Sequence, residues 1–156
     1  MKPKVYLETT IVSYLTARLS RDLVLAAHQQ LTREWWEIRS RFDLFISELV
    51  VREISSGDKD AVARRHTAVQ GLDVLALNDE STSLSRILIE RGPLPEKALA
   101  DALHISIAVV SGMDYLLTWN CTHIANATTL GKVEKLCRDA GYDPPTICTP
   151  EQLMEA

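Results

Sequence analysis

Apolar positions along the chain fall into short unbroken runs and longer stripes at helical spacing, and the two alternate from one end to the other. Lys4-Val5-Tyr6-Leu7-Glu8 is a β-rich run, and Thr9-Thr10 after it offers N-cap hydroxyls for a helix carrying Ile11, Val12, Tyr14 and Leu15. Over residues 21–39 the residues Leu23, Ala27, Leu31, Trp35 and Ile38 form one stripe, which predicts a long amphipathic helix. Residues 42–47 read as a strand through Asp43-Leu44-Phe45-Ile46. Ser47 then caps a helix through Leu49, Val50, Glu53 and Ile54 that ends at Ser55-Ser56-Gly57-Asp58. A polar helix over 60–70, a short strand at 72–75 and a helix over 79–91, stopped by Gly92-Pro93, come next.

Pro95 suits the first turn of a helix running to about Ser111. Apolar residues surround that helix on nearly every side, so it is expected to be the most buried one. Residues 114–119 read as a fully buried strand bounded by Asn120. A helix over roughly 130–140, a strand at 145–149 and a short tail helix from Pro150 complete the chain. Strand and helix alternate without a tandem hairpin, linker or repeat. The expected architecture is α/β: one domain over residues 1–156 with a mostly parallel sheet covered on both faces.

Composition narrows the function classes more than it names one. Hydrophobic residues at 46% and charged residues at 24% fit a folded domain and exclude disordered or low-complexity readings. No apolar run reaches the ~20 residues of a membrane span, and the stretch before Glu8 is too short for a secretory leader, so the expected location is the cytoplasm with no membrane partner. Cys121, Cys137 and Cys148 are an odd count without a CxxC pair and read as free, half-buried thiols. A formal charge of −4 argues against binding polyanions over the whole surface while leaving room for a local basic rim.

Sites in open α/β sheets lie beyond the carboxyl ends of strands. Glu8 ends the first strand and Asn120 the one before the last helix; Glu53 shares the face of Leu49 and Val50, and Asp101 lies early in the most apolar helix. A carboxylate on an apolar face must be paired, metal-bound or at a rim. Glu8, Glu53, Asp101 and Asn120 are therefore candidates for one pocket, whose oxygen-only ligands favour Mg²⁺ or Mn²⁺.

The chain resembles the PIN-domain family of the VapC-like type over nearly its whole length. Val5-Tyr6-Leu7-Glu8-Thr9-Thr10 is similar to the family's first motif, and Ser47-Glu48-Leu49-Val50-Val51-Arg52-Glu53-Ile54 to its second. Asp101-Ala102-Leu103-His104-Ile105-Ser106-Ile107-Ala108 resembles the third and most specific, and Tyr115-Leu116-Leu117-Thr118-Trp119-Asn120 the fourth, continued by His123-Ile124-Ala125-Asn126. The resemblance implies a PIN-like three-layer α/β/α sandwich and a metal-dependent endoribonuclease, the toxin of a toxin–antitoxin pair, acting on RNA, homodimeric and inhibited by a small antitoxin. It places Asp101 and Glu8 on the ion, Glu53 on the ion or on the attacking water, Asn120 as the completing ligand, and Thr10 and Thr118 as hydroxyls that orient carboxylates. The family usually has Asp where this chain has Glu8, and Asn120 puts an amide where a charge is usual; both departures imply a looser metal site. The alternative is a degenerate PIN-like domain that binds RNA or a protein without cutting.

Several further residues carry two readings each. His104 is either a satisfied core residue or a zinc ligand lacking companions, and His123 either contacts substrate or closes a loop. Trp35-Trp36 with Arg33, Arg39 and Arg41 is either an RNA clamp or a core residue beside an interface residue, the latter favoured. Arg18, Arg21, Lys59, Arg64 and Arg65 are candidates for a phosphate-contacting rim. An Asp nucleophile followed two residues later by Asp, as a haloacid-dehalogenase-like phosphatase needs, is missing after the first strand, and so is the Gly-rich loop of nucleotide-binding folds.

Overall fold

In the computed structural model, residues 1–154 are described; the last two residues of the domain expected over 1–156 lie outside them. Five strands, β1 (Lys4–Leu7), β2 (Asp43–Ser47), β3 (Asp73–Leu75), β4 (Tyr115–Leu117) and β5 (Thr146–Cys148), form one sheet in the order β3-β2-β1-β4-β5. Every pairing is parallel. Right-handed crossovers must then place helices on both faces, which is the α/β/α sandwich the alternation predicts.

The helices are α1 (Thr9–Thr16), α2 (Leu23–Glu37), α3 (Glu48–Ile54), α4 (Lys59–Val69), α5 (Asp79–Glu90), α6 (Leu99–Val110) and α7 (Ala127–Asp139). α1 packs on α2, α3 and α4, whereas α5 packs on α6 and α7, so two helical groups flank the sheet. Val5, Tyr6, Leu7, Leu116 and Leu117 are fully buried, as expected for central strands covered on both sides. α6 buries Ala102 and every residue from His104 to Val109, which agrees with its reading as the innermost helix. Among the described residues no helix is long and apolar enough to cross a membrane.

Four local expectations are corrected. Thr9 and Thr10 do not cap α1: Glu8 occupies the N-cap position without a side-chain bond, and both hydroxyls turn to carboxylates instead. The stripe assigned to α2 is rotated, for Leu23 is 86% exposed while Gln29, Thr32 and Trp35 are buried. Gln29 is needed inside because its amide closes the preceding loop, accepting from Ser20 N and donating to Arg18 O. Pro95 precedes a 3₁₀ turn, Glu96–Ala98, so α6 begins later than expected and Asp101 falls in its first turn. The thiols also differ from expectation, with Cys137 and Cys148 buried and Cys121 exposed.

Candidate active site

Strand order reverses between β1 and β4, and that switch point is where an open parallel sheet leaves a crevice at its carboxyl edge. Leu7 stands in register with Leu117, so the next residues, Glu8 and Thr118, meet at the edge. Glu8 Oε1 accepts hydrogen bonds from Thr10 Oγ1 at 2.5 Å and Thr118 Oγ1 at 2.6 Å. Its Oε2 accepts no hydrogen bond from a donor among the described residues. Glu8 is 4% exposed, and a carboxylate so buried needs such donors.

Glu53 reaches the same edge from the last turn of α3. Its Oε1 accepts from Thr9 Oγ1 at 2.5 Å and pairs with His104 Nε2 at 2.7 Å. Burial works to raise the Glu53 pKa, but the hydrogen bonds from His104 and Thr9, aided by the charges of His104 and Arg52, outweigh it and leave the carboxyl below its usual range. His104 continues inward through Nδ1 to Tyr6 Oη at 2.7 Å, and Tyr6 Oη meets Ser47 Oγ at 2.8 Å. The distances fit His104 donating to Glu53 through Nε2, with Nδ1 either accepting from Tyr6 or, on a charged ring, donating to it. Ser47 Oγ pairs with Tyr6 Oη and accepts from Val50 N as the cap of α3.

Asp101 enters in the first turn of α6, where the helix dipole favours negative charge. Asn120 Nδ2 donates to its Oδ1 and His123 Nδ1 lies on its Oδ2, each at 3.0 Å. The loop after β4 holds this clamp in place: Asn120 Oδ1 accepts from His123 N, and Asn120 N donates to Thr118 Oγ1. Thr118 thus links Glu8 to Asn120 and so to Asp101. The sheet edge and three helices bring Glu8, Glu53, Asp101, Asn120, Thr10, Thr118 and His123 into one neighbourhood.

Sequence reasoning missed four participants: Thr9, His104 in its bridging role, Tyr6 and Ser47. A signal existed for two of them, since Tyr6 is the one polar-tipped residue inside an apolar strand and His104 lies one helical turn after Asp101. His104 is buried and fully hydrogen-bonded, in keeping with the core reading, but its partner is a site carboxylate. His123 closes the loop as one of its two readings expected, and also holds Asp101. Two of the five rim candidates are committed elsewhere: Arg64 donates to Thr16 O, and Arg65 to Ile54 O and Ser56 O, at the ends of α1 and α3. Trp35 is fully buried, and Arg39 lies over the ring of half-buried Trp36 at 4.8 Å.

The chain is similar in structure to a chain of VapBC2 from Rickettsia felis, crystallised bound to a DNA fragment from its promoter. That match has a TM-score of 0.62 and 15% identity, and covers 94% of this chain and 98% of that one. The chain has a VapC-like PIN-domain fold. It is also similar to VapC20 from Mycobacterium tuberculosis, a sarcin–ricin-loop cleaving toxin, with a TM-score of 0.58, 14% identity and coverage of 88% and 95%. No family model and no curated protein matches the sequence.

A PIN fold implies a divalent ion. Among the described residues no group of three His, Cys, Asp or Glu side chains is arranged to hold one as placed. The donor chemistry nevertheless suits a hard cation: Glu8 and Glu53 each keep Oε2 clear of protein donors, and each oxygen of Asp101 retains a lone pair beyond its single hydrogen bond.

Proposed function

We propose that the protein is a divalent-metal-dependent endoribonuclease and the toxin of a toxin–antitoxin pair, working in the cytoplasm as a homodimer held in check by a small antitoxin. One observation carries the reading: three carboxylates from separate elements reach the switch-point edge of a fold shared with a sarcin–ricin-loop cleaving toxin, Glu8 and Asp101 joined through Thr118 and Asn120, and Glu53 held beside them by Thr9 and His104. Glu8, Glu53 and Asp101 hold Mg²⁺ or Mn²⁺ and Asn120 completes the set. When bound, the ion supplies an activated water and stabilises charge on the phosphodiester.

The chain's own groups fix where each donor points. Thr10 and Thr118 occupy Oε1 of Glu8, which directs Oε2 outward. Thr9 and His104 do the same for Glu53 and keep it ionised, suited to ligation rather than to carrying a proton. Asn120 and His123 restrain Asp101 from two sides, and the Nε2 of His123 is left to contact RNA.

Cleavage of a mixed RNA pool with Mn²⁺ or Mg²⁺ tests the reading. Asp101→Asn is expected to lose cleavage while keeping its melting temperature, and Glu8→Asp to retain or improve it. An Asp101→Asn protein that cuts as well as wild type overturns the assignment.

A second reading, a PIN-like domain that binds RNA or a protein without cutting, is favoured by the clamp that engages both oxygens of Asp101. Calorimetry with each ion separates the two readings. Saturable binding lost in Asp101→Asn supports the nuclease; a wild type that takes up no ion and cuts no RNA selects the alternative.

A further inference from the structure

Three rings lie nearly parallel beside the carboxylates. His28 of α2 stacks on Trp119 with centroids 4.0 Å apart and planes 10° apart. Tyr14 of α1 stands alongside, 6.3 Å from Trp119 and 6.5 Å from His28, within 17° of both planes. Trp119 is the fixed member: Nε1 donates to Thr32 Oγ1 at 2.7 Å, and its backbone N donates at 2.9 Å to Thr10 Oγ1, the hydroxyl that serves Glu8. The group is therefore tied to Glu8 through a single threonine.

Trp119 is buried, whereas Tyr14 and His28 are half-buried and form the more open side. The imidazole nitrogens of His28 make no hydrogen bond among the described residues, so ring stacking alone holds the side chain. Arg33, Arg64 and Arg65 each donate to backbone carbonyls, and the chain is net negative. Stacking on aromatic faces needs no positive charge and tolerates any base.

We propose that Tyr14, His28 and Trp119 form a shelf on which a base of single-stranded RNA stacks next to the carboxylate cluster. The proposal rests on the nuclease reading and names a substrate subsite for it. The shelf holds the strand by a base while the adjoining phosphate faces the carboxylates. Sequence selectivity at this position is accordingly weak, because every base presents a π-face.

The test compares His28→Ala and His28→Phe with the unmodified shelf by fluorescence anisotropy, each in an Asp101→Asn background with Mn²⁺ so that RNA stays intact. The probes are a short single-stranded RNA and an abasic ribose-phosphate oligomer of equal length. His28→Ala is expected to weaken RNA binding by about tenfold or more, and His28→Phe to restore it, while the abasic oligomer binds all three proteins alike. Equal RNA affinity for the three, or the same loss on the abasic oligomer, overturns the shelf. Wild-type cleavage measured in parallel separates the two ideas. A protein that cuts RNA yet ignores His28→Ala sinks the shelf alone; one that neither cuts nor binds RNA sinks both; one that binds with the His28 pattern but never cuts sinks only the nuclease.

Discussion

Glu53 sits near the C-terminal end of α3, where the helix dipole disfavours a carboxylate, and it is half-buried as well. His104 and Thr9 offset both costs, and Tyr6 with Ser47 holds His104 in turn. Tyr6→Phe removes the inner link and leaves His104 Nδ1 buried without a partner, an expected loss of about 1–3 kcal/mol in urea unfolding. Cysteine chemistry is equally local: burial pushes the Cys137 and Cys148 thiols up to about 11, while Cys121 is exposed. A thiol reagent at neutral pH is expected to label Cys121 rapidly and the other two only after denaturation; fast labelling of all three in the native protein contradicts the burial. Few of these pairings were legible beforehand, because Thr9, His104 and Glu53 are far apart in sequence and a hydroxyl leaves no periodic trace.

Elements were far more legible. Each strand and helix predicted from patterning exists, since apolar runs bounded by turn residues and stripes at helical spacing record burial directly. Misplacement occurred where a polar side chain serves tertiary structure from inside, as Gln29 and Thr32 do in α2. Ser47 shows how a cap becomes more than a cap, accepting from Val50 N and meeting Tyr6 Oη. Ser47→Ala is expected to cost about 0.5–2 kcal/mol in unfolding experiments. At the end of α5 a Cβ on Gly92 would lie 2.4 Å from Leu88 O and 2.9 Å from Leu136 Cδ1, so the turn and the seat of α7 both require glycine. Gly92→Ala should lower the urea midpoint by an amount corresponding to about 1–3 kcal/mol; an unchanged midpoint would show that the α5–α7 contact yields freely.

On the scale of the molecule, alkaline pH reads out the packed interior. Burial keeps the Tyr6 phenol protonated far above its ordinary 10.0, with Glu8 and Glu53 adding to the effect. Cys137 and Cys148 are raised from 9.0 in the same direction. A group whose folded pKa is raised contributes stability below its unfolded pKa and loses it above. The melting temperature should therefore hold steady up to about pH 9 and fall beyond it, first through the thiols and then through Tyr6. Tyr6→Phe should flatten the later part of that fall.

The sequence by itself determined the alternation of strand and helix, the burial of α6 and the presence of acids at a strand end and on apolar helix faces, because hydrophobic period and local propensity act within a few residues of each position. Only the tertiary structure decided the strand order, the meeting of Glu8 with Thr118 at the β1–β4 edge, and the links from Tyr6 through His104 to Glu53 and from Asn120 to Asp101. Those contacts join residues tens of positions apart. Hydrogen bonds act over about 3 Å in space, and that closeness exists only after the parallel sheet has assembled.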